Sequence, residues 1–198
     1  MHRKLHHFNN PIPYGSYGNG SAMRVSPVGW LFDNLDDVLH YAKLSAEVSH
    51  NHPEGIKGAQ ATDAAIFLNR LGSSKNNLRE YITTTFGYDL SRSLAEIRPK
   101  YFHVESCQET VPEAITAFLE GYDFEDVLRK AISLGGDCDT LTDIAAAIAQ
   151  GAYKIPGHIV EGAIANMDDR MIKCVAEFES FIERKVGPSS APKKKPVL

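Results

Sequence analysis

The chain has 198 residues, of which 43% are hydrophobic, and a formal net charge of −4. This is one domain of ordinary size, able to bury roughly two-thirds of its unfolded surface without a disulfide framework. The acidic balance argues against a general nucleic-acid binder, and no apolar run approaches the ~18 residues of a membrane span. Cys107, Cys138 and Cys174 are odd in number and never form a CxxC pair. They read as reduced thiols, and the expected compartment is the cytoplasm.

The first stretch, "MHRKLHHFNNPIPYGS", lacks the apolar core of a secretory signal. Up to Trp30 the spacing predicts no helix, only the glycine-dense loop "YGSYGNGSAMRVSPVGW". Helical periodicity then takes over. "DNLDDVLHYAKLSAEVSH" places Leu35, Val38, Leu39, Ala42 and Ala46 on one face behind an Asp33 or Asn34 cap. "HPEGIKGAQATDAAIFLNRLG" opens on Pro53 and closes on Gly72. "SKNNLREYITTTFG" and "RSLAEIRP" follow, and "TVPEAITAFLEG" is expected to open near Pro112. "DFEDVLRKAISLGG", the stretch after Asp139, "PGHIVEGAIANM" and "DDRMIKCVAEFESFIERK" complete about nine helices, with no convincing strand. The expectation is an all-α domain over residues 1–186. "GPSSAPKKKPVL" (187–198) reads as a disordered basic tail.

Three places invite chemistry. In the glycine-dense loop, Gly15, Gly18, Gly20 and Gly29 permit positive φ and a close backbone approach to phosphates or sugar hydroxyls, with Arg24 as a source of charge. The spacing matches neither a Walker loop nor the dinucleotide fingerprint, so an ordinary turn is the structural alternative. In "SHNHPEG", His50 at a helix end suits a ligand contact, and His52 beside Pro53 suits capping or packing. In "GGDCDT", Asp137, Asp139 and Thr140 offer hard oxygens to a divalent cation, and Gly135 and Gly136 let the backbone approach it. A helix N-terminus favours acidic side chains with or without metal, so capping stands equally as the alternative. Cys138 reads as a bystander.

Three blocks occur together and in order: "SYGNGSAMRVSPVGW", "AKLSAEVSHNHPEGIKGAQA" and "SCQETVPEAITAFLEGYDFEDVLRKAISLGGDCDTLTDIAAAIAQGAY". The combination resembles the ADP-ribosylglycohydrolase family, which includes the dinitrogenase-reductase-activating glycohydrolases. It is most similar to the compact bacterial members, over Pro11 to Lys185. The resemblance implies a multi-helix orthogonal bundle with two Mg²⁺ or Mn²⁺ ions in a cleft, and hydrolysis of ADP-ribose from a modified protein or small molecule. It implies Asp137, Asp139 and Thr140 as metal ligands, with both aspartates in the catalytic centre. It implies Tyr17, Gly18, Asn19, Gly20, Ser21, Met23, Arg24, His50, Gly135 and Gly136 around the substrate. "SCQETVP" falls on a cleft edge without individual roles.

One departure matters. The family's domain opens with a G-D-x-x-G segment with a downstream acidic residue and a T-D-D-T motif, which supply the other metal ligands and a catalytic glutamate. Neither motif occurs here. The chain therefore resembles the C-terminal two-thirds of the enzyme, holding one Mg²⁺ or none, with weak or absent activity unless a partner chain supplies the missing N-terminal half. The alternatives are a non-catalytic ADP-ribose-binding module and a truncated product that self-associates.

Overall fold

The computed structural model describes residues 12–186. Eleven α-helices run in order among them: α1 Gly20–Met23, α2 Ser26–Leu31, α3 Leu35–Glu47, α4 Pro53–Arg70, α5 Lys75–Phe86, α6 Leu94–Ile97, α7 Cys107–Glu120, α8 Phe124–Ile132, α9 Cys138–Ala152, α10 Gly157–Ile164 and α11 Asp169–Val186. The described residues contain no strand, and the all-α expectation holds. An isolated antiparallel bridge joins Gly18 to Ser106. The basic-tail expectation for 187–198 lies outside the described residues.

Most helix boundaries follow local chemistry. Asn34 caps α3 by accepting from the Asp37 amide at 2.9 Å, and Ser74 and Asp123 cap α5 and α8 in the same way. Each such cap satisfies an orphan donor and stabilises by about 1 kcal/mol. Pro53 opens α4, where its absent N–H costs nothing. Gly87 closes α5 in the left-handed region, φ 70°.

Two expectations change. The stretch before Trp30 is not helix-free, because α1 and α2 lie within it; Pro27 fixes φ inside the first turn of α2. Likewise, α7 begins at Cys107 rather than near Pro112, which sits inside the helix and removes one backbone bond.

Helix α4 is the pillar. From Gly58 to Phe67 almost every residue is buried, so it has no continuous polar face. It packs against α3, α7 and α9. Gly55, Gly58, Ala59, Ala61, Ala64 and Ala65 let neighbouring backbones approach closely. Ile66, Val111, Ile115, Phe118, Leu141, Ile144 and Ile148 interlock around it, each at most 1% exposed. Asn69 donates from Nδ2 to the Ile148 carbonyl at 3.0 Å, pinning α4 to α9. The result is a rigid α4–α7–α9 platform with α1 and the start of α9 at one end. By contrast, α10 and α11 contain no fully buried residue among those described.

Candidate functional site

The site begins where α8 stops. Gly135 and Gly136 both take positive φ, 72° and 66°, which costs an L-residue about 1–2 kcal/mol and a glycine little. At Gly136 a Cβ would also lie 2.6 Å from the Phe102 carbonyl oxygen. This double left-handed turn reverses the chain and delivers Asp137 to the N-cap position of α9.

Asp137 does not cap. Its side chain makes no bond to the first-turn amides. Instead Oδ2 accepts from Asn19 Nδ2 at 2.7 Å, across 118 residues of sequence. Asp139 stands exposed in the first turn beside Asp137. A hydrogen bond with the Asp137 carboxyl, together with the Asp139 and Thr140 amides, holds the Asp139 carboxyl below the usual carboxylate range. Thr140 follows, half-buried.

The glycine-dense loop packs against this turn. The Asn19 amide donates to the Glu105 carbonyl at 2.8 Å, and the Cys107 amide donates to the Tyr17 carbonyl at 2.9 Å. Of Gly15, Gly18, Gly20 and Gly29, only Gly15 has positive φ. The other three have ordinary φ, and of these only Gly29 is held to glycine by a close neighbour. A Cβ on Gly18 or Gly20 would sit 3.5 or 3.3 Å from His50 Nε2, and one on Gly29 would sit 2.9 Å from Ile66 Cγ2.

His50 thus presses Nε2 against the loop, while Nδ1 pairs with Ser49 Oγ at 2.8 Å. Burial, aided by the Arg24 guanidinium, keeps its imidazole below the ordinary histidine value. His52 is the N-cap of α4, accepting from the Glu54 amide at 3.2 Å, and it meets the Tyr17 ring edge-on at 5.4 Å.

Not every sequence candidate faces outward. Ser21 is fully buried, with its hydroxyl donated to the Gly55 carbonyl at 2.8 Å. Asn19 is 7% exposed, and its amide is engaged by Asp137 and by Thr110 Oγ1 at 3.2 Å. Arg24 donates to the Ser45 carbonyl at 3.0 Å and to Ser49 Oγ at 2.8 Å, so it clamps the end of α3. Tyr17 and Met23 do present exposed surface.

Sequence reasoning assigned no role to Thr110, nor to His103 and Glu105, which pair at 3.0 Å beside Gly136. None of the three carried an individual signal, and Thr110 alone lies within "SCQETVP" on the expected cleft edge.

The donor set suits one hard cation. Two adjoining carboxylates and a threonine hydroxyl at a helix N-terminus match the few protein oxygens that Mg²⁺ accepts alongside water. Among the described residues no group of three or more His, Cys, Asp or Glu could hold a metal.

The family model described as ADP-ribosylglycohydrolase matches residues 1–184. The chain belongs to the ADP-ribosylglycohydrolase family. It is 36% identical over 160 residues to an uncharacterised protein of Archaeoglobus fulgidus, covering 72% of this chain and 52% of that one. It is 30% identical over 186 residues to the ADP-ribosylhydrolase ARH3 of Homo sapiens, covering 70% and 50%. A solved structure described as an ADP-ribosylglycohydrolase-related protein complex superposes with a TM-score of 0.61 at 25% identity, over 73% of this chain and 54% of that one. The chain therefore spans about half the length of the curated relatives it matches. No helix among its described residues is long and apolar enough to cross a membrane.

Proposed function

We propose that the chain is the nucleotide-sugar-binding half of an ADP-ribosylglycohydrolase, with half of a dication site. It would take part in hydrolysing the glycosidic bond between ADP-ribose and a protein or small-molecule acceptor. The observation that carries this reading is the Asn19–Asp137 bond, which puts the glycine-dense loop and the aspartate turn within one contact of each other. A nucleotide sugar lying along Tyr17–Gly20 would have its ribose beside Asp137 and Asp139.

In this reading Asp137, Asp139 and Thr140 hold one Mg²⁺ or Mn²⁺, which supplies Lewis acidity next to the bond to be broken. The diphosphate lies along the Gly18–Gly20 segment, whose glycines add no side chain of their own beside His50. His50, neutral at physiological pH, offers a hydrogen-bonding nitrogen without adding charge. Tyr17 supplies an exposed aromatic face. Acidic groups from a further segment or chain complete the metal site, so the isolated chain hydrolyses weakly or not at all.

The test is calorimetric titration of Mn²⁺ and ADP-ribose into the purified chain. The expected result is at most one Mn²⁺ per chain, weakly held, with ADP-ribose binding that weakens in chelator. Two ions bound at micromolar concentration would contradict the half-site. The small donor set supports a second reading, a non-catalytic ADP-ribose binder. Undiminished ADP-ribose affinity in chelator would favour it.

A further inference from the structure

Asn19 sits at the junction of the loop and the aspartate turn, and its side chain has no freedom left. The backbone is fixed by its own amide on the Glu105 carbonyl at 2.8 Å, and by its carbonyl accepting from the Ala22 and Met23 amides at 3.0 Å each. Its amide nitrogen has two protons and two acceptors, Thr110 Oγ1 at 3.2 Å and Asp137 Oδ2 at 2.7 Å. Rotating the amide by half a turn would set its oxygen against a carboxylate oxygen, so only one orientation is tolerated. Thr110 is fully buried on α7, part of the rigid platform.

We infer that Asn19 and Thr110 are positioning residues for the Asp137 carboxylate, rather than contacts for the sugar nucleotide. Thr110 sets the plane of the Asn19 amide, and the amide fixes Oδ2 and with it the orientation of the carboxylate that would meet the cation. Asp137 is thereby released from capping α9, the role its position would otherwise impose. This inference rests on the proposed dication site. It adds that the geometry of the site is set from α7 and the loop, not from α9 alone. Partners that orient a metal ligand typically contribute about 10–100-fold in metal affinity.

The experiment measures Mn²⁺ affinity of the full chain by electron paramagnetic resonance, without any substrate, for wild type, Thr110→Val, Thr110→Ser and Asn19→Ala. Thermal melts in chelator are recorded alongside. Valine matches threonine in shape and lacks the hydroxyl; serine keeps it. Expected is a weakening of Mn²⁺ binding by about 10-fold for Thr110→Val and up to about 100-fold for Asn19→Ala. Thr110→Ser should stay within about 3-fold of wild type, and Thr110→Val, which leaves the Asn19 amide one acceptor short, should melt earlier but still cooperatively. Should Thr110→Val bind Mn²⁺ as tightly as wild type, the positioning role is overturned and the dication site stands. A wild-type chain that binds no Mn²⁺ overturns the dication reading and this inference with it.

Discussion

Asp63 is a costly side chain to bury. It is fully buried on α4, Oδ1 accepts from the Gly29 amide at 3.2 Å, and Oδ2 has no partner. Burial pushes its carboxyl well above the ordinary aspartate range. The folded state therefore keeps this proton to higher pH than the unfolded chain, which releases it near pH 3.9. The contribution to stability is fully present below the unfolded value and is lost as pH rises through the folded one. Asp63→Asn keeps the acceptor for Gly29 and removes the charge. It should raise stability near pH 7 by about 1–3 kcal/mol and flatten its pH dependence, as urea midpoints at pH 5 and pH 8 would record. At the double turn, Gly135→Ala should cost about 1–2 kcal/mol for left-handed backbone alone. Gly136→Ala adds the collision with the Phe102 carbonyl and should cost roughly 1–3 kcal/mol more by the same assay.

At the scale of elements, the helices fall into two groups. α4, α7 and α9 bury almost all they can, while Met171, Ile172, Val175 and Phe181 of α11 remain between 37% and 56% exposed. Helices gain most of their stability from packing an apolar face, so α10 and α11 should open first. Hydrogen–deuterium exchange should show their amides exchanging at least about 100-fold faster than those of α4 and α9. Equal protection would mean that the apolar face of α11 is covered. The sequence made these helices legible through apolar spacing and caps such as Asn34 and Ser74. It could not say whether the stripe on α11 finds a partner, because periodicity reports a face and not what meets it. The same limit hid α1, whose four residues include Gly20, and α2, where Gly29 is required against Ile66 and weakens the helical signal.

At the scale of the whole molecule, motifs located the candidate site and tertiary contacts distributed its roles. Asp137, Asp139 and the glycine loop were visible as residue types. The direction of each side chain was not, and so Ser21, Asn19 and Arg24, all polar and all beside the loop, turned out to face inward or toward α3. Thr110 carried no signal, since a buried threonine on a helix reads as packing until Asn19 is seen against it. The chain spans about half the length of the curated relatives it matches. On the half-site reading proposed above, acidic groups supplied in trans should raise Mn²⁺ binding from one weak ion to two, a change that the titration would register directly.

The bridge between Gly18 and Ser106 carries one more consequence. Its bonds run between peptide groups, which are the same whatever residue bears them. Exchanging the side chains of Tyr17, Phe102 or His103, all exposed in the chain segments that flank it, therefore leaves the seam's own bonds in place. The chemistry of the surface here and the closure of the seam can change independently.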